Sequence, residues 1–140
     1  MTPELDAALC AKYPEIMSER NLGAMQTAMC WGFEHGDGWY QILDSAMRLV
    51  QSHIDMRNRM HNIEEMKVEQ VVFEQVKEKF GMLTIYHRGG DDYTDGVLRM
   101  AEQMSRCTCE ECGAPGYPTK SGWIRTLCDT HHKEREERNK

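Results

Sequence analysis

Apolar residues at the start of the chain recur with a helical period. Leu5, Leu9, Tyr13 and Ile16 fall on one stripe, which predicts a packing helix over residues 2–19. Thr2 suits its cap, Pro3 its first position, and Glu4 and Asp6 the positive end of the helix dipole. From Asn21 to Gly36 the period breaks. Met25, Met29, Trp31 and Phe33 are apolar, but Gly23 and Gly32 interrupt them, so a short helix or irregular segment ending at Gly36 is expected. A broader stripe then opens. Trp39, Ile42, Leu43, Ala46, Met47, Leu49, Val50 and Ile54 predict a central core helix capped by Asp37. Met56, Met60 and Ile63 carry its more polar extension toward Glu65.

The period changes at Val68. Val71, Val72, Phe73 and Val76, then Ile85 and Tyr86, are β-branched or aromatic, and Lys77-Glu78-Lys79-Phe80-Gly81 reads as a turn between them. These predict a hairpin of residues 68–78 and 82–88, closed by Gly89-Gly90-Asp91-Asp92. Val97, Met100, Ala101 and Met104 then mark one face of a further helix capped by Asp92 or Thr94. The expected class is α+β: helices packed on a β-hairpin, with a body at 1–106 and a small C-terminal module at 107–140. No internal repeat or low-complexity segment interrupts it.

That module carries the clearest chemistry. Cys109-Glu110-Glu111-Cys112-Gly113 is followed, after a Pro/Gly-rich stretch, by Cys128-Asp129-Thr130-His131. A Cys-x-x-Cys turn points two thiolates at one ion, and a Cys-x-x-His pair entering a helix closes on it from the other side. Cys109, Cys112, Cys128 and His131 thus form the three-sulfur, one-nitrogen set of a structural Zn2+ site. Four protein ligands leave no open position for a reactive water. Gly113 suits the tight turn after the first pair. The competing reading is buried or disulfide-paired cysteines. Cys107 and His132 are extra ligand candidates, although a Cys-x-Cys gap is short for the usual turn, and His132 points away from His131 on a helix. The order of pairs resembles a treble-clef zinc finger, a shape that serves DNA binding, protein binding and scaffolding alike.

Composition narrows the function. The net charge of -6 gives a general nucleic-acid coating role no support across the whole chain. Residues 1–104 hold 10 Lys/Arg against 17 Asp/Glu, and residues 105–140 hold 7 against 6, so a local basic patch remains open. Cysteine usage fits a reducing cytoplasm. No signal peptide or membrane-length apolar run is seen. No hydrolase elbow, phosphate-binding loop, dinucleotide fingerprint or zinc-protease motif occurs, so a non-enzyme is expected. For an anionic ligand, Lys77, Lys79, Arg88 and Arg125 are the phosphate candidates, and Trp39, Tyr86 and Trp123 the stacking ones. Against this stands the plainer reading that the lysines solubilise a turn.

Four segments, in order, resemble a family of small tailed-phage proteins. They are Gly36-Asp37-Gly38-Trp39, Val76-Lys77-Glu78-Lys79-Phe80-Gly81 with Leu83 and Tyr86, Cys109-x-x-Cys112-Gly113-Ala114-Pro115-Gly116, and Gly122-Trp123-Ile124-Arg125-Thr126-Leu127-Cys128-x-x-His131. The resemblance runs over about two-thirds of the chain, from Gly36 onward. The third position after Gly81 often carries Arg in that family; here it is Thr84, which removes any ligand contact made by such an Arg. The resemblance implies a phage product working in the bacterial host cytoplasm. By analogy, the expectation is a zinc-stabilised protein that antagonises a defence system. It would bind a host defence protein, or sequester a small nucleotide messenger, as in a pocket between subunits of a homo-oligomer. The expected ligand-binding set is Lys77, Lys79, Tyr86, Trp123 and Arg125. The alternative is a nucleic-acid-binding accessory protein using its zinc finger.

Overall fold

The computed structural model describes residues 1–120 and 122–140. Helix α1 spans Pro3–Lys12, shorter than the apolar stripe predicts. Tyr13 precedes Pro14, and the proline ring disfavours α geometry at the residue before it. Tyr13 accordingly leaves the helix at φ -128°, ψ 59°. The chain continues in turns, yet Tyr13, Ile16 and Met17 still reach the core. Thr2 stands at the cap without a side-chain cap bond; its N–H instead donates to Asp37 Oδ1 at 2.6 Å. Asp37 therefore anchors the N-terminus and does not cap the central helix.

After a 3-10 turn at Ala28–Trp31 comes a two-residue strand, β1, Phe33–Glu34. A second 3-10 turn, Asp37–Trp39, leads into α2, Tyr40–Met60. α2 stops short of Glu65 because Asn58 binds both backbone groups of Val68, accepting at 2.7 Å and donating at 3.0 Å, and so turns the chain back.

Strands β2, Val72–Lys79, and β3, Met82–Arg88, form the predicted hairpin, four residues shorter at its start. The turn is only Phe80-Gly81, with φ of 53° and 77°, so Lys77 and Lys79 lie within β2. β1 pairs with β2 in parallel, giving a three-stranded sheet in the order β1-β2-β3. Helix α3, Asp92–Ser105, is capped by Asp91, not Asp92 or Thr94. Asp91 Oδ1 accepts from Thr94 N, and Thr94 Oγ1 accepts from Asp91 N, a reciprocal capping box.

Val76, Leu83 and Ile85 face a core built with Leu43, Met47, Val50, Leu98 and Ala101. By the strand period of two, Lys77, Lys79, Thr84 and Tyr86 lie on the opposite face. The outer edge of β3 is blunted. Leu83 N donates to Ser105 Oγ and Ile85 N to Glu102 Oε1, both at 2.8 Å, so α3 side chains occupy amides that would otherwise template another strand. No helix among the described residues is long and apolar enough to cross a membrane.

Candidate metal centre

The C-terminal module is a knuckle at Cys109–Gly113, a small hairpin of β4, Tyr117–Pro118, with β5, Thr126–Leu127, and helix α4, Asp129–Arg138. Knuckle, hairpin and helix in this order make a treble-clef-like module. Gly113, at φ 78°, makes the turn that folds the knuckle back. α4 begins one residue after Cys128, which brings His131 round one turn onto the same side.

The four ligand atoms all lie within 4.8 Å of one another. Cys112 Sγ is 3.8 Å from Cys128 Sγ, and His131 Nδ1 lies 3.3 Å from Cys109 Sγ and 3.2 Å from Cys128 Sγ. His131 Nε2, on the far side of the ring, faces Glu134 at 3.8 Å, an orientation that leaves Nδ1 for an ion. The thiols do not titrate alike. The His131 backbone N–H draws Cys128 down to about 7. At Cys112 the Ala114 backbone N–H acts downward, but desolvation and the neighbouring thiols outweigh it and the group is raised. Three ionised sulfurs this close repel, and a divalent cation at their centre removes that repulsion.

Cys107 and His132 lie outside the cluster. Cys107 Sγ donates to Met104 O, while His132 stacks on Tyr117 with ring centres 4.3 Å apart. No disulfide joins the cysteines of the described residues.

The module is bolted to the body through Glu110, one residue inside the first ligand pair. Its backbone carbonyl accepts from Gly38 N at 2.7 Å. Its buried carboxylate accepts from Gly36 N at 3.0 Å with one oxygen and from Arg125 Nε at 2.9 Å with the other. Trp39, fully buried, donates its indole N–H to Thr108 O at 2.9 Å. A second joint forms at the sheet hairpin, where Thr126 Oγ1 donates to Gly81 O at 2.6 Å.

The residues expected to bind a ligand divide between several places. Lys77, Lys79 and Tyr86 share the open sheet face, with Lys77 Nζ 5.6 Å from the centre of the Tyr86 ring. Arg125 is bound inside the module by Glu110 and by Glu111, 2.7 Å away, and its carboxylate partners strengthen its hold on the proton. Trp123 is 71% exposed and donates its indole N–H to Glu78 Oε2. Trp39 is unavailable for stacking, and Arg88 pairs with Glu19 and Glu74. A different feature escaped the sequence reading. α2 and α3 leave between them a groove of about 600 Å3 lined by Ser45, Leu49, Tyr93, Gly96, Met100 and Met104, among others. Its signal lay in Leu49, Met100 and Met104, which the sequence puts on the core stripes and the fold leaves exposed along the groove.

Fold and cluster together define an α+β protein with a treble-clef-like C-terminal module whose Cys3His cluster can coordinate a metal ion. Comparison with protein-family models, with curated proteins and with solved structures finds no match.

Proposed function

We propose that this chain is a non-enzymatic, zinc-stapled phage protein that antagonises a bacterial defence system by occupying a host protein. The phage setting rests on the ordered motifs from Gly36 to His131. Zinc is favoured because a tetrahedral ion with Zn–S bonds of about 2.3 Å places its sulfurs about 3.8 Å apart. That separation is the one between Cys112 and Cys128. With four protein ligands the ion stabilises the fold and takes no part in chemistry.

The groove between α2 and α3 carries the protein-binding reading. Leu49, Tyr93, Met100 and Met104 are exposed along it, where an isolated chain would favour polar residues. The nucleotide-messenger form of the reading is supported by Lys77 and Tyr86 side by side on the sheet, but Arg125 is already matched by two carboxylates.

The test is to express the chain in strains that each carry one defence system and to challenge them with a phage that the system blocks. Plaques should return on at least one strain. Met100→Glu should abolish the rescue while leaving the melting temperature in place. No rescue across the panel, or a Met100→Glu variant that rescues fully, removes the reading. A nucleotide released unchanged on heating protein purified from such a strain would favour messenger capture instead.

A further inference from the structure

We infer that the open face and tip of the β2–β3 hairpin form a binding surface for single-stranded nucleic acid, separate from the metal module's helix and independent of the groove. Two aromatic side chains and two lysines on the open face and tip carry the inference, with a third ring, Trp123, beside the tip. Phe80 occupies the first central position of the turn with φ 53°, a left-handed conformation that costs a bulky residue energy, and it is 76% exposed. An Asn there would make the same turn without strain. A strained aromatic that buries little does nothing for the fold and presents a flat apolar face to solvent.

Trp123 is brought to the same end of the hairpin from the core-facing side, where Glu78 lies opposite Leu83. One carboxylate, Glu78, accepts from Gly81 N at 2.6 Å and from Trp123 Nε1 at 3.0 Å, tying the indole to the turn. At the far end of the face, Tyr86 is exposed with Lys77 beside it, and Lys79 stands between them and the tip, opposite Met82. From Tyr86 to Phe80 the face thus carries a ring at each end with the two lysines between them. Along β3 this path is roughly 13 Å, room for two to four nucleotides.

The two lysines favour an anionic occupant, and the exposed rings favour one with free base faces. The chain as a whole is acidic, at -6, yet this face presents Lys77 and Lys79. Glu34, the acid paired beside Lys77, is held toward Gln75, and Glu78 lies on the core-facing side, so the lysines are the charged groups that line the path from Tyr86 to the tip. Unpaired bases stack on exposed rings while phosphates meet the lysines. A duplex offers no free base faces, so stacking selects the single strand.

The experiment is fluorescence anisotropy of the full, metal-loaded protein with fluorescein-labelled oligothymidylate and oligouridylate of about eight nucleotides, alongside a duplex of equal length. Saturable binding to a single strand is expected, at least about tenfold tighter than to the duplex, with a log–log salt slope of about -1.4 for two phosphate contacts. Phe80→Asn should weaken binding about fivefold or more without lowering the melting temperature, because it removes the ring and relieves the turn. Lys77→Gln with Lys79→Gln should flatten the salt slope. Lys133→Gln, on α4, should change neither.

Any of three results overturns the inference. They are no anisotropy change at about 100 μM protein in low salt, equal affinity for the duplex, or a Lys133→Gln variant as weakened as the hairpin lysine variant. The phage-challenge assay is a separate readout, so the failure of one proposal leaves the other standing.

Discussion

Gly38→Ala tests the joint between metal module and body. Gly38 has no special backbone angle, so alanine is acceptable to the local chain. The obstacle is space: a Cβ would sit 2.1 Å from the carbonyl oxygen of Cys109 and 2.5 Å from the amide nitrogen of Gly113. Both are backbone atoms of the knuckle and cannot swing aside. The knuckle must back away, and three hydrogen bonds go with it: Gly38 N to Glu110 O, Gly36 N to Glu110 Oε1, and Trp39 Nε1 to Thr108 O. At about 1 kcal/mol for each neutral bond, and somewhat more for the one to a carboxylate, the loss is about 3–5 kcal/mol. For a chain of this size that is a fall of roughly 10–15 °C in melting temperature. The matched control is Gly96→Ala on α3, where a Cβ meets nothing within 4 Å. It should be neutral or stabilising by up to about 1 kcal/mol through helix propensity. Urea denaturation of both variants, with metal retention measured by chelator competition, gives the answer. Gly38→Ala should also release its metal more readily. Stability within about 1 kcal/mol of the wild type with unaltered metal retention would refute the docking argument.

Three further outcomes follow from the same geometry. Cys112→Ser should lose stoichiometric zinc by native mass spectrometry and melt at lower temperature, whereas Cys107→Ser, whose thiol meets only Met104 O, should do neither. Phe80→Asn should raise stability by about 1 kcal/mol in urea titrations, since Asn-Gly is the preferred pair for this turn. His35 is 6% exposed, its Nε2 has no hydrogen-bond partner, and burial pushes its pKa down to about 4. Its folded pKa lies below the unfolded value, so the unfolded chain binds the proton first as pH falls. Stability from the neutral ring is complete above about pH 6.5 and is lost between there and pH 4, by an amount on the order of 2–3 kcal/mol. A His35→Leu variant should show a flatter stability profile across that interval at constant free zinc, and an equal slope would contradict the assignment.

How far the sequence reaches depends on how local each cause is. The metal ligands were legible because a thiolate pair two residues apart is itself the site geometry. α2, α3 and the hairpin were legible because each repeats its period over many residues. The end of α1 was within reach as well, since Pro14 disfavours helical geometry at Tyr13, but the apolar stripe running on to Ile16 outweighed it. β1 was not legible: two residues carry no period, and they are a strand only because β2 lies beside them. Arg125 shows the same limit at a side chain. Its charge suggests an anionic ligand until the fold brings Glu110, fifteen residues away in sequence, within 2.9 Å. Gly36, read as the end of an irregular segment, and Asp37 to Trp39, read as a helix start, together seat the knuckle, and that role exists only once the two segments meet.

The small core of the C-terminal module explains why those contacts matter. Among the described residues from 107 onward, Cys109 and Leu127 are the buried apolar side chains. Burying a leucine contributes about 2 kcal/mol, while ordering each residue of backbone costs about 1–2 kcal/mol. The module cannot fold on that balance alone: its contacts with the body hold it, and an ion at the Cys/His cluster would add to that hold. The dependence also runs the other way. Trp39 is held by Thr108 O, and α2 starts at the next residue. Gln41, Ser45 and Leu49 on α2 then form one wall of the groove. At the second joint, Thr126 holds the hairpin turn, and Trp123 is tied to Glu78. Both proposed surfaces therefore adjoin contacts that a bound metal ion would keep in place. Removing it should blunt binding at each surface before the helical core melts, although no ligand of either surface touches the ion.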